Sequence, residues 1–242
     1  MKIDPSSPKD LSAQIAQAIR DAIVAGKLIV DARLPSETEL SDQFNVSRST
    51  VREALKRLAA QSLIRTQRGA TGGAFVNRLT FEDAQAMHVT TSTLLLSMND
   101  VSFTQACEAR YALERACAVM ACTRRESSHL EKMKAELGHQ AQDELSDEAF
   151  CASDVAFHRA LVDSASNPVL SYQLAGAVEA MQPLMNMITF TARSRVKILM
   201  LHGNIVDALE QRDPSAVKDS LDLLESYTQA LAEDLIVARP SG

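Results

Sequence analysis

Apolar positions recur at helical spacing near the start of the chain. In "DLSAQIAQAIRDAIVAGKL", Leu11, Ile15, Ala18, Ile19, Ala22 and Ile23 share one stripe, and Gly26 stands where the helix should stop. "LPSETELSDQF" opens on Ser36 with Glu39 three residues on, the spacing of a capping box. "NVSRSTVREALKRLAAQS" opens on Ser47, a residue type that caps helices, and Val51, Ala54, Leu55 and Leu58 form its stripe. The period then changes. "LIRTQRGATGGAFV" reads as a strand, a glycine-rich turn and a strand. Three helices and then a hairpin are the order of a winged helix-turn-helix, here within residues 1–78.

From about Thr80 the pattern is helical to the end. It divides roughly into 81–97, 102–123, 127–142, 146–164, 168–191, 194–211 and 214–237. Breaks fall near Asn99-Asp100, Arg124–Ser128, Asn167-Pro168 and Asp213-Pro214. Pro183 should kink the fifth helix, near Met181, Leu184, Met185, Met187 and Phe190, which with Met200 suit a core or an adaptable cavity wall. The expected fold is mainly α: an N-terminal winged helix-turn-helix, then residues 79–242 as an all-helical bundle of six or seven helices. A bundle of that size has room to enclose a pocket.

Composition sharpens this. Only 4% of the 242 residues are aromatic and there is no Trp, which favours packed helices over sheets. No apolar stretch suited to secretion follows the polar opening, and no run reaches the ~18 apolar residues of a membrane span. Cys107, Cys117, Cys122 and Cys151 form no CxxC pair and read as reduced, buried cysteines of a cytoplasmic protein. The net charge of −6 hides a split. Residues 1–78 hold twelve Lys and Arg against eight Asp and Glu, while residues 79–242 hold thirteen against twenty-three. A basic module joined to an acidic one points to a polyanion binder attached to something else.

On the third helix the apolar stripe leaves Arg48, Ser49, Thr50, Arg52, Lys56 and Arg57 toward water. Arg48 and Arg52 lie one turn apart near the leading end, the part of a recognition helix that meets base edges. Arg offers a bidentate pair to guanine O6 and N7. Arg65 and Arg68 flank the Gly-rich turn, where a flexible basic wing suits the minor groove. A basic helix face can also be nothing more than solvated surface; the helix order and the basic hairpin weigh against that.

"LPSE", "VSRSTVREAL" and the wing ending "GAFV" resemble the DNA-binding domain of the GntR superfamily of bacterial transcription regulators, over about residues 10–78. The resemblance implies a homodimer on a palindromic double-stranded DNA operator. By position it implies base and phosphate contacts at Arg48, Ser49, Thr50, Arg52, Arg68 and Gly69, with Ser36, Thr38 and Ser47 in support. Many relatives place Gly before the first strand, where this chain has Ser62, so a tight turn there is expected to use another geometry.

In "DVAFH", Asp154 and His158 are one helical turn apart and share a face. Such a pair suits acid–base chemistry, half of a metal site, or a simple hydrogen bond. "EARYALERACAVMA", "DVAFHRALVDSASNPVL" and "LHGNIVDALEQRDPSAV" resemble the FCD effector domain of the FadR-type subgroup, over most of residues 81–235. That resemblance implies a small organic acid or related metabolite as effector and a divalent metal (Zn, Ni, Mn or Fe). The implied ligands are Asp154, His158 and His202, while Leu224 stands where metal-binding members carry a further His. Tyr227, one turn beyond Leu224, water or the effector would take that position. Arg110 falls where relatives aim an Arg at the pocket; it suits an effector carboxylate or a salt bridge to Glu114. No nucleophile motif, Walker loop or dinucleotide fingerprint occurs, and "GATGG" leads into a strand rather than a helix. A ligand-responsive transcription regulator, commonly a repressor, is therefore expected rather than an enzyme or a structural nucleoid protein.

Overall fold

The computed structural model describes residues 3–4, 10–69, 72–98, 101–181 and 194–238. The chain divides into two compact units, Met1–Asp83 and Ala84–Gly242.

The first unit holds α1 (Leu11–Val24), α2 (Glu37–Phe44), α3 (Arg48–Ala60), β1 (Ile64–Gln67) and β2 (Gly73–Val76). Its core is made by the stripes read from the sequence: Ile15 and Ile19 of α1 and Val51, Ala54 and Leu58 of α3 are wholly buried. Each such large aliphatic side chain contributes about 1.5–3 kcal/mol. The predicted caps form. The Ser36 N–H donates to Glu39 Oε2 at 2.7 Å and the Glu39 N–H returns to Ser36 Oγ at 3.3 Å. Ser47 Oγ accepts the Thr50 N–H at 3.2 Å.

The ends of α1 and α3 repay comparison. After α1, Gly26 takes φ +68° and the Lys27 N–H donates to the Ala22 carbonyl at 2.9 Å. After α3, Ser62 takes φ +57°, with its N–H on Ala59 O and the Leu63 N–H on Leu58 O, both 3.0 Å. The two ends share one hydrogen-bond pattern. The expected change of geometry at Ser62 does not occur: serine enters the left-handed region itself, at a cost of about 1–2 kcal/mol that glycine would not incur.

β1 and β2 pair antiparallel, Ile64 opposite Val76 and Gln67 opposite Gly73. The wing needs glycine for its own backbone: a Cβ on Gly72 would lie 2.4 Å from the Gln67 carbonyl oxygen.

The second unit holds α4 (Phe81–Met98, whose first residues belong to the first unit), α5 (Phe103–Arg124), α6 (Ser127–Gln140), α7 (Asp147–Asp163), α8 (Pro168–Val178), α9 (Arg195–Glu210) and α10 (Pro214–Ala238). α5 packs on α10, α6 on α7, and α9 on both α6 and α10. Phe157, Leu161, Ile205, Leu209, Val217 and Leu221 fill the space between them. The fifth helix of this unit is shorter than its apolar pattern suggested. α8 ends at Val178 and tightens into a 3-10 turn over Glu179–Met181. The kink read at Pro183, and Leu184, Met185, Met187 and Phe190, lie outside the described residues. Met181 is buried in the core and also borders a cavity, whereas Met200 is 55% exposed. None of the four cysteines is in a disulfide, and all are buried. Among the described residues no helix is long and apolar enough to cross a membrane.

Candidate DNA-binding and ligand-binding sites

In the first unit the predicted contact residues are on one exposed end of α3 and on the wing. Arg48, Ser49 and Arg52 are exposed, Thr50 half-buried. Ser47 Oγ lies 2.7 Å from Ser49 Oγ and 2.8 Å from Thr50 Oγ1, so three hydroxyls meet at the start of the helix. Ser36 is engaged in its capping box, and Thr38 is exposed on α2. Arg68 is exposed before Gly69, which takes φ +111°. The two helix arginines, read as equals from the sequence, differ. Among the described residues Arg48 forms no ion pair. Arg52 is forked onto Glu37, Nε to Oε1 at 3.1 Å and Nη2 to Oε2 at 2.7 Å. Those hydrogen bonds from Arg52 hold the Glu37 carboxyl below its ordinary pKa. Arg65 pairs with Asp31 at 3.1 Å and lies over the Phe75 ring.

In the second unit, Asp154 and His158 of α7 and His202 of α9 come together, with one potential ligand atom from each within 4.8 Å of the others. Among the described residues these three, Arg110 and Glu114 are the only buried Asp, Glu, Arg or His side chains. Arg110 Nε donates to Glu114 Oε1 at 2.9 Å, and its Nη2 lies 3.9 Å from Asp154 Oδ2. The other Glu114 oxygen, Oε2, is 2.8 Å from His158 Nδ1. Burial alone would raise the Glu114 pKa, but His158 and Arg110 overcome it and hold the carboxyl below its ordinary value. An ionised Glu114 only accepts, so Nδ1 of His158 is the donor, which leaves Nε2 as the ring atom available to a ligand.

His202 repeats the arrangement with a neutral partner. Its Nδ1 lies 3.0 Å from Gln140 Oε1, which fixes that nitrogen as donor. Burial pushes the His202 pKa down to about 3 despite the opposing pull of Asp154, so the ring is neutral. Its Nε2 is 3.4 Å from Asp154 Oδ1, lone pair against carboxylate. Neither Nε2 has a hydrogen-bond partner, though both are buried. Two unpartnered imidazole Nε2 atoms beside a carboxylate form a set of donors suited to a cation. The rings stand at 80° to each other, and Phe157 stacks on His202 at 4.1 Å.

Two family models match the chain: bacterial regulatory proteins of the gntR family over residues 11–76, and the FCD domain over residues 105–224. The galactonate operon transcriptional repressor of Escherichia coli is 30% identical over 222 residues, 87% of this chain and 92% of its own. The chain belongs to the GntR family. This GntR regulator carries an FCD domain and is a transcription regulator of that type. It is also 28% identical to the uncharacterized regulator YcbG of Bacillus subtilis, over 88% of this chain and 86% of that one. Streptococcus agalactiae GntR shares its fold, with a TM-score of 0.57 at 21% identity over 92% of this chain and 99% of that one.

Some of the regulator's expected site residues stand elsewhere than the sequence suggested. Tyr227 does not offer its hydroxyl to the trio: that oxygen accepts the Ser194 N–H at 2.8 Å, and Lys197 lies over the ring. Leu224 is buried in the apolar core and brings no donor. Its carbonyl accepts from Thr228 Oγ1 at 2.8 Å, and Tyr111 Oη lies 3.1 Å from the same hydroxyl. Arg110 does form the salt bridge to Glu114, and from there it also faces Asp154. The sequence reading missed the roles of Glu114 and Gln140 as partners of the imidazoles. Glu114 stood one turn from Arg110 as a signal of pairing; nothing local marked Gln140.

Proposed function

We propose that this regulator is a repressor that binds a palindromic operator in duplex DNA as a homodimer. A small organic acid or related metabolite in the FCD domain changes its operator affinity, beside a divalent metal held by Asp154, His158 and His202. The observation that carries this is the pair of buried, unpartnered Nε2 atoms facing Asp154. One carboxylate and two imidazoles suit Zn, Ni, Mn or Fe. A bound ion supplies a positive centre for an effector carboxylate. Charge supports the same reading. Imidazoles that ligate an ion carry no charge, so at an occupied site Arg110, Glu114 and Asp154 contribute one net negative charge. A divalent cation reverses that to one positive, and a monocarboxylate then neutralises it. The Escherichia coli relative is named a repressor, which supports repression. The exposed basic end of α3 supports duplex binding.

Protein purified without a His tag should carry near-stoichiometric divalent metal by elemental analysis, and His158→Ala should lose it. Substoichiometric metal unchanged by that substitution would sink the metal assignment. Thermal-shift screening of organic acids, with and without Zn, should find one that raises the melting temperature and alters retention of duplex DNA. Turnover of such an acid by the metal-loaded protein would overturn the sensing role.

A further inference from the structure

We propose that Glu37 sets the sequence preference of this regulator by aiming Arg52 at a guanine. The inference rests on the reading of α3 as the helix that meets the bases. A guanidinium has five N–H donors in a planar fork. Glu37 takes the side-on pair, Nε and one hydrogen of Nη2. Of the three donors left over, one hydrogen of Nη1 and the second of Nη2 form the end-on pair. That pair matches O6 and N7 of guanine. The carboxylate thus occupies the edge that a phosphate would otherwise claim and leaves the edge that a base pair can read.

Glu37 is built to hold still. It is the first residue of α2, directly after Ser36, whose capping box with Glu39 secures that helix end. Its partner lies on a different helix, fifteen residues on, so the fork spans the helix-turn-helix itself. Stability alone is a poor reason for the pair. The Arg52 side chain is 60% exposed and that of Glu37 37%, and pairs so open to solvent contribute little. Glu37 is therefore a positioning residue: it touches no base, and it decides how Arg52 does. It also places a negative charge where phosphate would approach, which discourages sequence-blind docking.

The test uses the full-length protein and a randomised duplex pool, with sequencing of the retained fraction. Wild type should enrich a motif, and Arg52→Ala should lose preference at one G·C pair within it. Glu37→Ala should weaken preference at that same pair by about 10-fold, in the range of one good bidentate contact, and spare the other positions. Glu37→Gln keeps the shape without the charge and should fall between; it carries the test if the alanine variant melts early. Total duplex retained at low salt should stay level or rise. Full preference at the Arg52-dependent pair in both Glu37 variants would overturn the inference, as would uniform weakening at every position. If Arg52→Ala changes no position, Arg52 itself does not read a base, and the inference falls with that reading.

Discussion

The two units handle charge in opposite ways. In the first, the basic groups stand on the surface, and the acidic side chains that pair with them also meet solvent, as in Arg52–Glu37, Arg57–Asp10 and Arg65–Asp31. In the second, five ionisable side chains are sealed inside a helical bundle, gathered from α5, α7 and α9, with Gln140 of α6 behind one of them. An exposed charge is paid for by water; a buried one must be answered by another protein group or a ligand. Substitutions in the first unit should therefore change binding and spare folding, and those in the buried cluster should strike both.

The largest effect should follow Glu114→Ala. It strips the partner from Arg110 and from Nδ1 of His158 at once, and breaking a buried pair from one side costs about 3–5 kcal/mol. Urea denaturation would measure it; a loss below ~1 kcal/mol would show that the cluster is not held as described. Next comes metal removal. Chelation should lower the melting temperature and added Zn restore it, since free metal at a hundred times its Kd is worth about 2.7 kcal/mol. An unchanged melt would break the contrast, because the orphaned nitrogens would then need no cation.

Arg48→Ala belongs to the other unit. Duplex affinity should fall by about 1–2 kcal/mol in a gel-shift titration, with no change in melting temperature. A large loss of stability instead would mean that exposed and buried charge are not so differently employed. The smallest effect runs the other way. Ser62→Gly should stabilise by about 0.5–1 kcal/mol, the relief of left-handed strain less the added freedom of the unfolded chain. Chemical denaturation would detect it, and destabilisation would show that the Ser62 side chain contributes more than its backbone strain costs.

Legibility in the sequence followed the same divide. The caps at Ser36 and Ser47 and the stripe of Val51, Ala54, Leu55 and Leu58 involve residues a few positions apart, so local rules reached them. Ser62 escaped because two backbone hydrogen bonds hold its turn against a modest strain that residue type alone overstated. In the bundle, Asp154 and His158 were legible as one turn of helix, and His202 by resemblance. The partners that orient the rings were not: Glu114 lies 44 residues from His158, and Gln140 lies 62 from His202. Such pairings are set by which helices pack together, and no period along the chain records that. Tyr227 shows the same limit from the other side: its spacing from Leu224 carried no sign that its hydroxyl accepts the Ser194 N–H, 33 residues away.

The imidazoles of His158 and His202 are backed unequally, one by a carboxylate and one by an amide. A carboxylate makes the ring behind which it sits the more basic donor. A cation held between them would be anchored from the α7 side and grasped more loosely from α9. A competing oxygen donor would displace the looser grasp first, so α9 is the helix through which arrival of a ligand would first be felt as movement.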